Sequence, residues 1–193
     1  YKGLTNKSVH KMPTLMLTER LDIKPRSEWG NTVMIGGNMV RWYGGFDSYI
    51  VAQEFGMPIY APSMGRKIDR EDEMDIKHLP YMTWVEWINT LSQFHVGIHL
   101  MPTHAAGTFT LNCAFHGIPC IGYKGLDTQE ELHPDLTVDD GDLQKAKYLA
   151  KELKNGKSFY DEMSKKCREN YEKSLYNEKN FVPYIEQIFE RLK

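Results

Sequence analysis

The feature that most constrains the fold is a repeated alternation. Short apolar runs of strand length are each followed by a stretch with helical spacing and then by glycine or proline. Thr32-Val33-Met34-Ile35 is a continuous apolar run stopped by Gly36-Gly37, which is how a strand buried on both faces reads. Gly45 to Phe55 has helical character and ends at Gly56, and Met57–Ala61 forms the next strand with Pro58 confined to its start. Ile76–Tyr81 predicts a third strand. Thr83 and Glu86 then form a T-x-x-E capping box, in which each side chain satisfies a free backbone N–H. Behind it Trp84, Trp87, Ile88, Leu91 and Phe94 fall on one helical face. His95–Leu100 reads as the fourth strand, Thr108–Phe115 as a helix stopped by Gly117, and Ile118–Gly122 as the fifth strand.

A short sixth strand is expected at Leu136–Val138, after which the pattern is helical. Leu143, Ala146, Leu149, Ala150 and Leu153 line a helix capped by Asp142 and ended by Gly156. Ser158 with Asp161 opens another, and Phe181, Ile185, Ile188, Phe189 and Leu192 mark a last amphipathic helix. Residues 1–30 read as a lead-in segment with one strand near Thr14–Leu17, and residues 31–193 as the domain proper. Strands alternating with helices at this pace imply an α/β fold: a Rossmann-like parallel sheet of about six strands with helices on both faces. In such sheets ligands sit beyond the carboxyl ends of the strands. The segments to watch are therefore Gly36–Gly45, Ala61–Gly65, Tyr81–Thr83, Thr103–Thr108 and Gly122–Thr128.

Composition narrows the function. A formal charge of −2 on 193 residues, with no polybasic run, offers no electrostatic footprint for nucleic acid. The mixed cluster from Arg66 to Asp75 reads as a solvated loop. Cys113, Cys120 and Cys167 form no C-x-x-C pair, and their odd number argues against a disulfide framework. No apolar run approaches the roughly 20 residues needed to cross a bilayer, so membrane association is not expected and a cytoplasmic setting is. The chain opens on Tyr1, so a fragment of a longer protein is expected.

Chemistry concentrates in Pro102-Thr103-His104-Ala105-Ala106-Gly107-Thr108-Phe109-Thr110-Leu111-Asn112, which joins a strand to a helix through a glycine-containing loop. Backbone N–H groups at Gly107 and Thr108 can approach an anion there, aided by the helix dipole. A plain turn capped by the Thr108 hydroxyl reads equally well. With the preceding Leu79–Pro102 and the following Gly117-Ile118-Pro119-Cys120-Ile121, this segment resembles the hallmark region of the C-terminal domain of retaining GT-B glycosyltransferases. The similarity spans roughly Thr32 to Lys193.

The resemblance implies a nucleotide-sugar-binding half, with an N-terminal acceptor-binding domain elsewhere in the full-length chain. It also implies a nucleotide diphosphate sugar as donor substrate and no cofactor or metal. Family members carry two glutamates eight positions apart across the loop and helix, the first toward the donor sugar and the second on the ribose. Here those positions are His104 and Asn112, and an amide can still hydrogen-bond a ribose hydroxyl. The family's basic pair, which binds the diphosphate, aligns with Asn38 and Tyr43, leaving Arg41 as the cation within the Gly37–Gly45 loop. Arg66 or Lys67 could compensate from the neighbouring loop. Alternatively, Arg41 is a surface residue stacked on Trp42.

The resemblance puts Tyr81 and Met82 beside the nucleobase, the diphosphate at Gly37, Arg41, Gly107 and Thr108, and the sugar near Thr103 and His104. Lys124–Gln129 either frames the sugar or is a loop with an Asx turn at Asp127. Three functions follow in order. The first is sugar transfer, in which positioning and stabilisation of the departing diphosphate do the work. The second is a non-catalytic nucleotide-sugar-binding or scaffold domain. The third is an epimerase of the same fold, for which the Thr103–Thr108 loop lacks a carboxylate base.

Overall fold

The computed structural model describes residues 9–63, 65–104 and 107–191. Leu192 and parts of two of the loops singled out above (Met64, Ala105, Ala106) lie outside the described residues. A six-stranded sheet contains β1 (Val33–Ile35), β2 (Ile59–Pro62), β3 (Lys77–Leu79), β4 (Val96–His99), β5 (Cys120–Tyr123) and β6 (Thr137–Val138). The order is β3-β2-β1-β4-β5-β6, and every pairing is parallel. Helices α1 (Gly45–Ala52), α2 (Trp84–Leu91), α3 (Thr108–His116) and α4 (Asp127–Leu132) alternate with the strands. The chain ends in α5 (Leu143–Asn155), α6 (Lys157–Lys173) and α7 (Glu178–Arg191).

Strand alternation sorts the core into two layers. Val33 and Ile35 of β1, with Ile59, Ala61, Ile98 and Ile121, face Val51 and Ala52 of α1 and Ala146, Leu149 and Ala150 of α5. Met34 and Cys120 point the other way, onto Leu91, Phe109 and Cys113 of α2 and α3. A parallel sheet buried on both sides is the Rossmann-like arrangement expected, and its chain order reverses between β1 and β4.

Several local expectations are corrected. The region near Thr14–Leu17 forms no strand, only a single bridge from Met16 to Asn177. Met16 is the buried side chain of that run, and with Ile23 further on it joins Leu111, Phe115 and Tyr171 in a third apolar cluster. Arg26 donates to the carbonyls of Phe94 and Gly117 and to the Tyr160 hydroxyl. The Thr83–Glu86 capping box is present, but α2 stops at Leu91, so Phe94 packs from the turn beyond it. Trp84 is 38% exposed. Ser158 caps nothing, because α6 begins at Lys157 behind Gly156. On α7 Phe181, Ile185 and Ile188 are only half-buried and Phe189 is exposed.

Candidate functional site at the chain reversal

Because β1 and β4 lie side by side while their connections leave in opposite directions, a crevice opens at their carboxyl ends. A cavity of about 380 Å³ occupies it. Gly37 and Tyr43 enter from the segment after β1, and Pro62 and Ser63 from β2 and the turn behind it. Pro80, Tyr81, Met82 and Trp87 form the side beyond β3. Met101, Gly107, Thr108, Phe109 and Asn112 come from the β4–α3 connection and the first turns of α3.

Gly37, Tyr81, Met82, Gly107, Thr108 and Asn112, expected from the sequence, therefore share this cavity. Asn38 does not line it: the residue is buried behind the loop, and its Oδ1 has no hydrogen-bond partner among the described residues. Arg41 is exposed in a short 3-10 turn, outside the cavity lining. The stack on Trp42 is made not by Arg41 but by Arg66, whose guanidinium lies 5.7 Å from the indole centroid. Lys67 is held by Asp72 at 2.7 Å. Thr103 donates to the Trp42 carbonyl at 2.9 Å, tying the loop after β4 to the loop after β1. His104 lies in a separate, open depression with Lys124, Asp127, Glu130, Glu131, Asp139 and Asp140.

The head of α3 is built differently from the capped turn that the sequence also allowed. Gly107 is the N-cap, and among the described residues the Thr108 hydroxyl makes no capping bond. Thr128 performs the fastening: its hydroxyl donates to the Gly107 carbonyl at 2.6 Å and lies 2.5 Å from that of Thr110. Asp127 is not the centre of an isolated loop turn but the first residue of α4. Its Oδ1 accepts from Thr128 N at 2.8 Å and, at 3.4 Å, from Gly107 N, so one carboxylate serves the heads of two helices. Its Oδ2 accepts from the Tyr176 hydroxyl at 3.0 Å.

His99, the last residue of β4, is a cavity residue that the strand reading passed over. A polar side chain closing an otherwise apolar strand at the chain reversal was the signal available. It packs edge-on to Phe109, with centroids 5.5 Å apart, and burial lowers its pKa to about 4. Gly36 makes that packing possible: a Cβ there would lie 2.3 Å from the Phe109 ring and 2.6 Å from His99 Nδ1. Phe109 and Trp87 pack in the core layer of α2 and α3, and they also form the cavity wall. Across the described residues no group of three or more His, Cys, Asp or Glu side chains is arranged to hold a metal ion. No helix among them is long and apolar enough to cross a membrane.

No protein-family model matches the sequence, and no curated protein matches it. Solved structures do share the fold. TarM superposes with a TM-score of 0.69 at 14% identity, over 91% of this chain and 42% of its own. AviGT4, a glycosyltransferase involved in Avilamycin A biosynthesis, gives 0.66 at 14% identity, over 93% of this chain and 57% of that one. HepE from Anabaena, solved with UDP and glucose, gives 0.62 at 12% identity, over 91% and 50%. The chain thus spans about half the length of these structures. The fold is that of a Rossmann-like half of a GT-B protein.

Proposed function

We propose that this chain is the donor-binding half of a glycosyltransferase that takes a nucleotide diphosphate sugar. The observation that carries the reading is the position of the cavity. It lies at the β1/β4 reversal, with the α3 N-terminus on one side and the Tyr81–Met82 segment on the other. Similar folds in a known glycosyltransferase and in a protein solved with UDP and glucose support it. In this reading the base lies against Tyr81 and Met82, and the ribose hydroxyls meet the Asn112 amide. The diphosphate points toward Gly37, Gly107 and Thr108, and the sugar toward Thr103 and His104, with Arg41 at the rim. Acceptor recognition and the retaining outcome belong to the complete two-domain protein.

A specific observation also favours the non-catalytic alternative. Among the described residues, none of the side chains lining the cavity is an Asp, Glu, Lys or Arg. Stabilisation of a leaving diphosphate normally uses fixed positive charge, and here it would have to come from outside the lining. Thermal shift with a panel of nucleoside diphosphates and nucleotide sugars tests the donor site. A ligand at 100 times its dissociation constant adds about 2.7 kcal/mol. Failure of every nucleotide to stabilise the full-length protein would end the donor-site reading. Release of nucleoside diphosphate from a nucleotide sugar by the full-length protein would decide against the non-catalytic one.

A further inference from the structure

Resting on the donor-site reading, we infer that the cavity recognises the uncharged nucleoside portion of its ligand and gives the diphosphate little additional affinity. The first ground is the lining. Tyr43, Tyr81, Trp87 and Phe109 offer aromatic surface to a base, and Ser63, Thr108 and Asn112 offer neutral hydrogen-bonding groups to a sugar. His99, the histidine among the lining residues, is held neutral at physiological pH by its burial. The cavity's 380 Å³ lies at the small end of the roughly 300–1,000 Å³ typical of ligand pockets, a scale suited to a nucleoside.

The second ground is what the head of α3 already faces. The Gly107 N–H at the head of α3 already points at the Asp127 carboxylate. That carboxylate is fixed from behind by Thr128 N and the Tyr176 hydroxyl, so it is not free to swing away. Glu130, Glu131, Asp139 and Asp140 share the adjoining depression and deepen the negative field. The nearby cations do not answer it from within the cavity. Arg41 is exposed on the 3-10 turn outside the lining, Arg66 is stacked on Trp42, Lys67 is paired with Asp72, and Lys124 stands among the acids.

Magnitudes decide the outcome. A helix N-terminus contributes at most about fivefold to binding of an exposed anion. A charge-assisted hydrogen bond from Arg or Lys contributes about tenfold to a hundredfold. The cavity holds the first and not the second, and Asp127 offsets part of the first.

Calorimetric titration of the full-length protein with uridine, UMP and UDP, at low and high salt, tests this, with the adenine and guanine series in parallel. For the base that binds, nucleoside, monophosphate and diphosphate affinities should agree within about fivefold and barely respond to salt. A diphosphate more than about tenfold tighter than its nucleoside, or one whose affinity collapses with salt, overturns the inference while leaving the donor site standing. If no member of any series binds, the donor-site reading itself fails, and this inference with it. Asp127→Asn gives an independent arm, because it removes the charge and keeps an acceptor. It should raise UDP affinity about threefold to tenfold and leave uridine affinity, which reports an intact fold, unchanged. Unchanged UDP affinity in a variant that still binds uridine would show that the carboxylate does not oppose the diphosphate.

Discussion

A Cβ placed on Gly44 would lie 1.6 Å from the carbonyl oxygen of Leu100. The loop after β1 thus rests directly on the chain leaving β4, with no side chain between them. Gly44 also has a φ of 63°, in the left-handed region, and ends the 3-10 turn that carries Arg41 and Trp42. Gly44→Ala therefore meets two penalties, a backbone clash and an unfavourable φ. It is expected to destabilise the chain by more than about 2 kcal/mol and to open the cavity by pushing Tyr43 outward. Chemical denaturation measures the first effect, and loss of nucleotide-induced stabilisation the second.

Acid should weaken the fold in a defined window. Burial lowers His99, His116 and His133 to about 4. At His116 the Arg26 N–H donates to Nδ1, so Nε2 carries the proton given to the Ile88 carbonyl, and a second proton would break the first bond. These pKa values lie below the unfolded value of about 6.5, so the unfolded chain binds more protons between the two. The stabilisation is complete above about pH 6.5 and is lost as pH falls toward about 4, by at most about 1.4 kcal/mol per pH unit for each histidine. Denaturation midpoints measured from pH 7 to pH 4 should fall accordingly. His133→Gln, which keeps a donor for the Thr110 carbonyl, should reduce the slope measurably.

The sheet was legible because its signal is local. Runs such as Val33–Ile35 and the Thr83–Glu86 box carry period and capping within a few residues, and their elements form where that pattern puts them. Much of the cavity could be read too, since a parallel α/β sheet directs ligands to the ends of its strands and so singles out Gly37, Tyr81 and Gly107, while Asn112, inside α3, is named only by the family resemblance. What escaped was whatever depends on side chains meeting across long sequence separations. Nothing near Asp127 announces that it reaches back to Gly107, nor anything near Arg66 that it, and not Arg41, lies over Trp42. His99 was hidden by its strand, whose residues read as core until the chain reversal gives the last one an open side.

Arg26 should prove the strongest single tie between the lead-in segment and the rest of the chain. Its guanidinium satisfies the Phe94 and Gly117 carbonyls and the Tyr160 hydroxyl, and that hydroxyl in turn donates to the His95 carbonyl. Arg26→Ala removes the side-chain donor from the Phe94 carbonyl and one of two from the Gly117 carbonyl, which keeps Ser164. A loss of about 2–4 kcal/mol is expected, with new protease cleavage between residues 9 and 30. Arg26→Lys reaches fewer acceptors and should recover only part of the loss. Equal stability of wild type and Arg26→Ala would remove the tie.

Tyr81 separates binding from folding more cleanly than any other cavity residue. Its side chain is 89% exposed although it lines the cavity, so truncating it removes little packing. A residue this open gains its contacts when a flat ring lies against it, and base–aromatic stacking contributes about 1–3 kcal/mol. Tyr81→Ala should therefore leave the melting temperature of the unliganded chain within error, while nucleotide affinity falls by about tenfold. Tyr81→Phe keeps the ring and should restore binding, because the expected contact is the face and not the hydroxyl. If Tyr81→Ala binds nucleotide as tightly as wild type, the base does not lie on this wall. Trp87, on the same side of the cavity and half-buried, becomes the next ring to test.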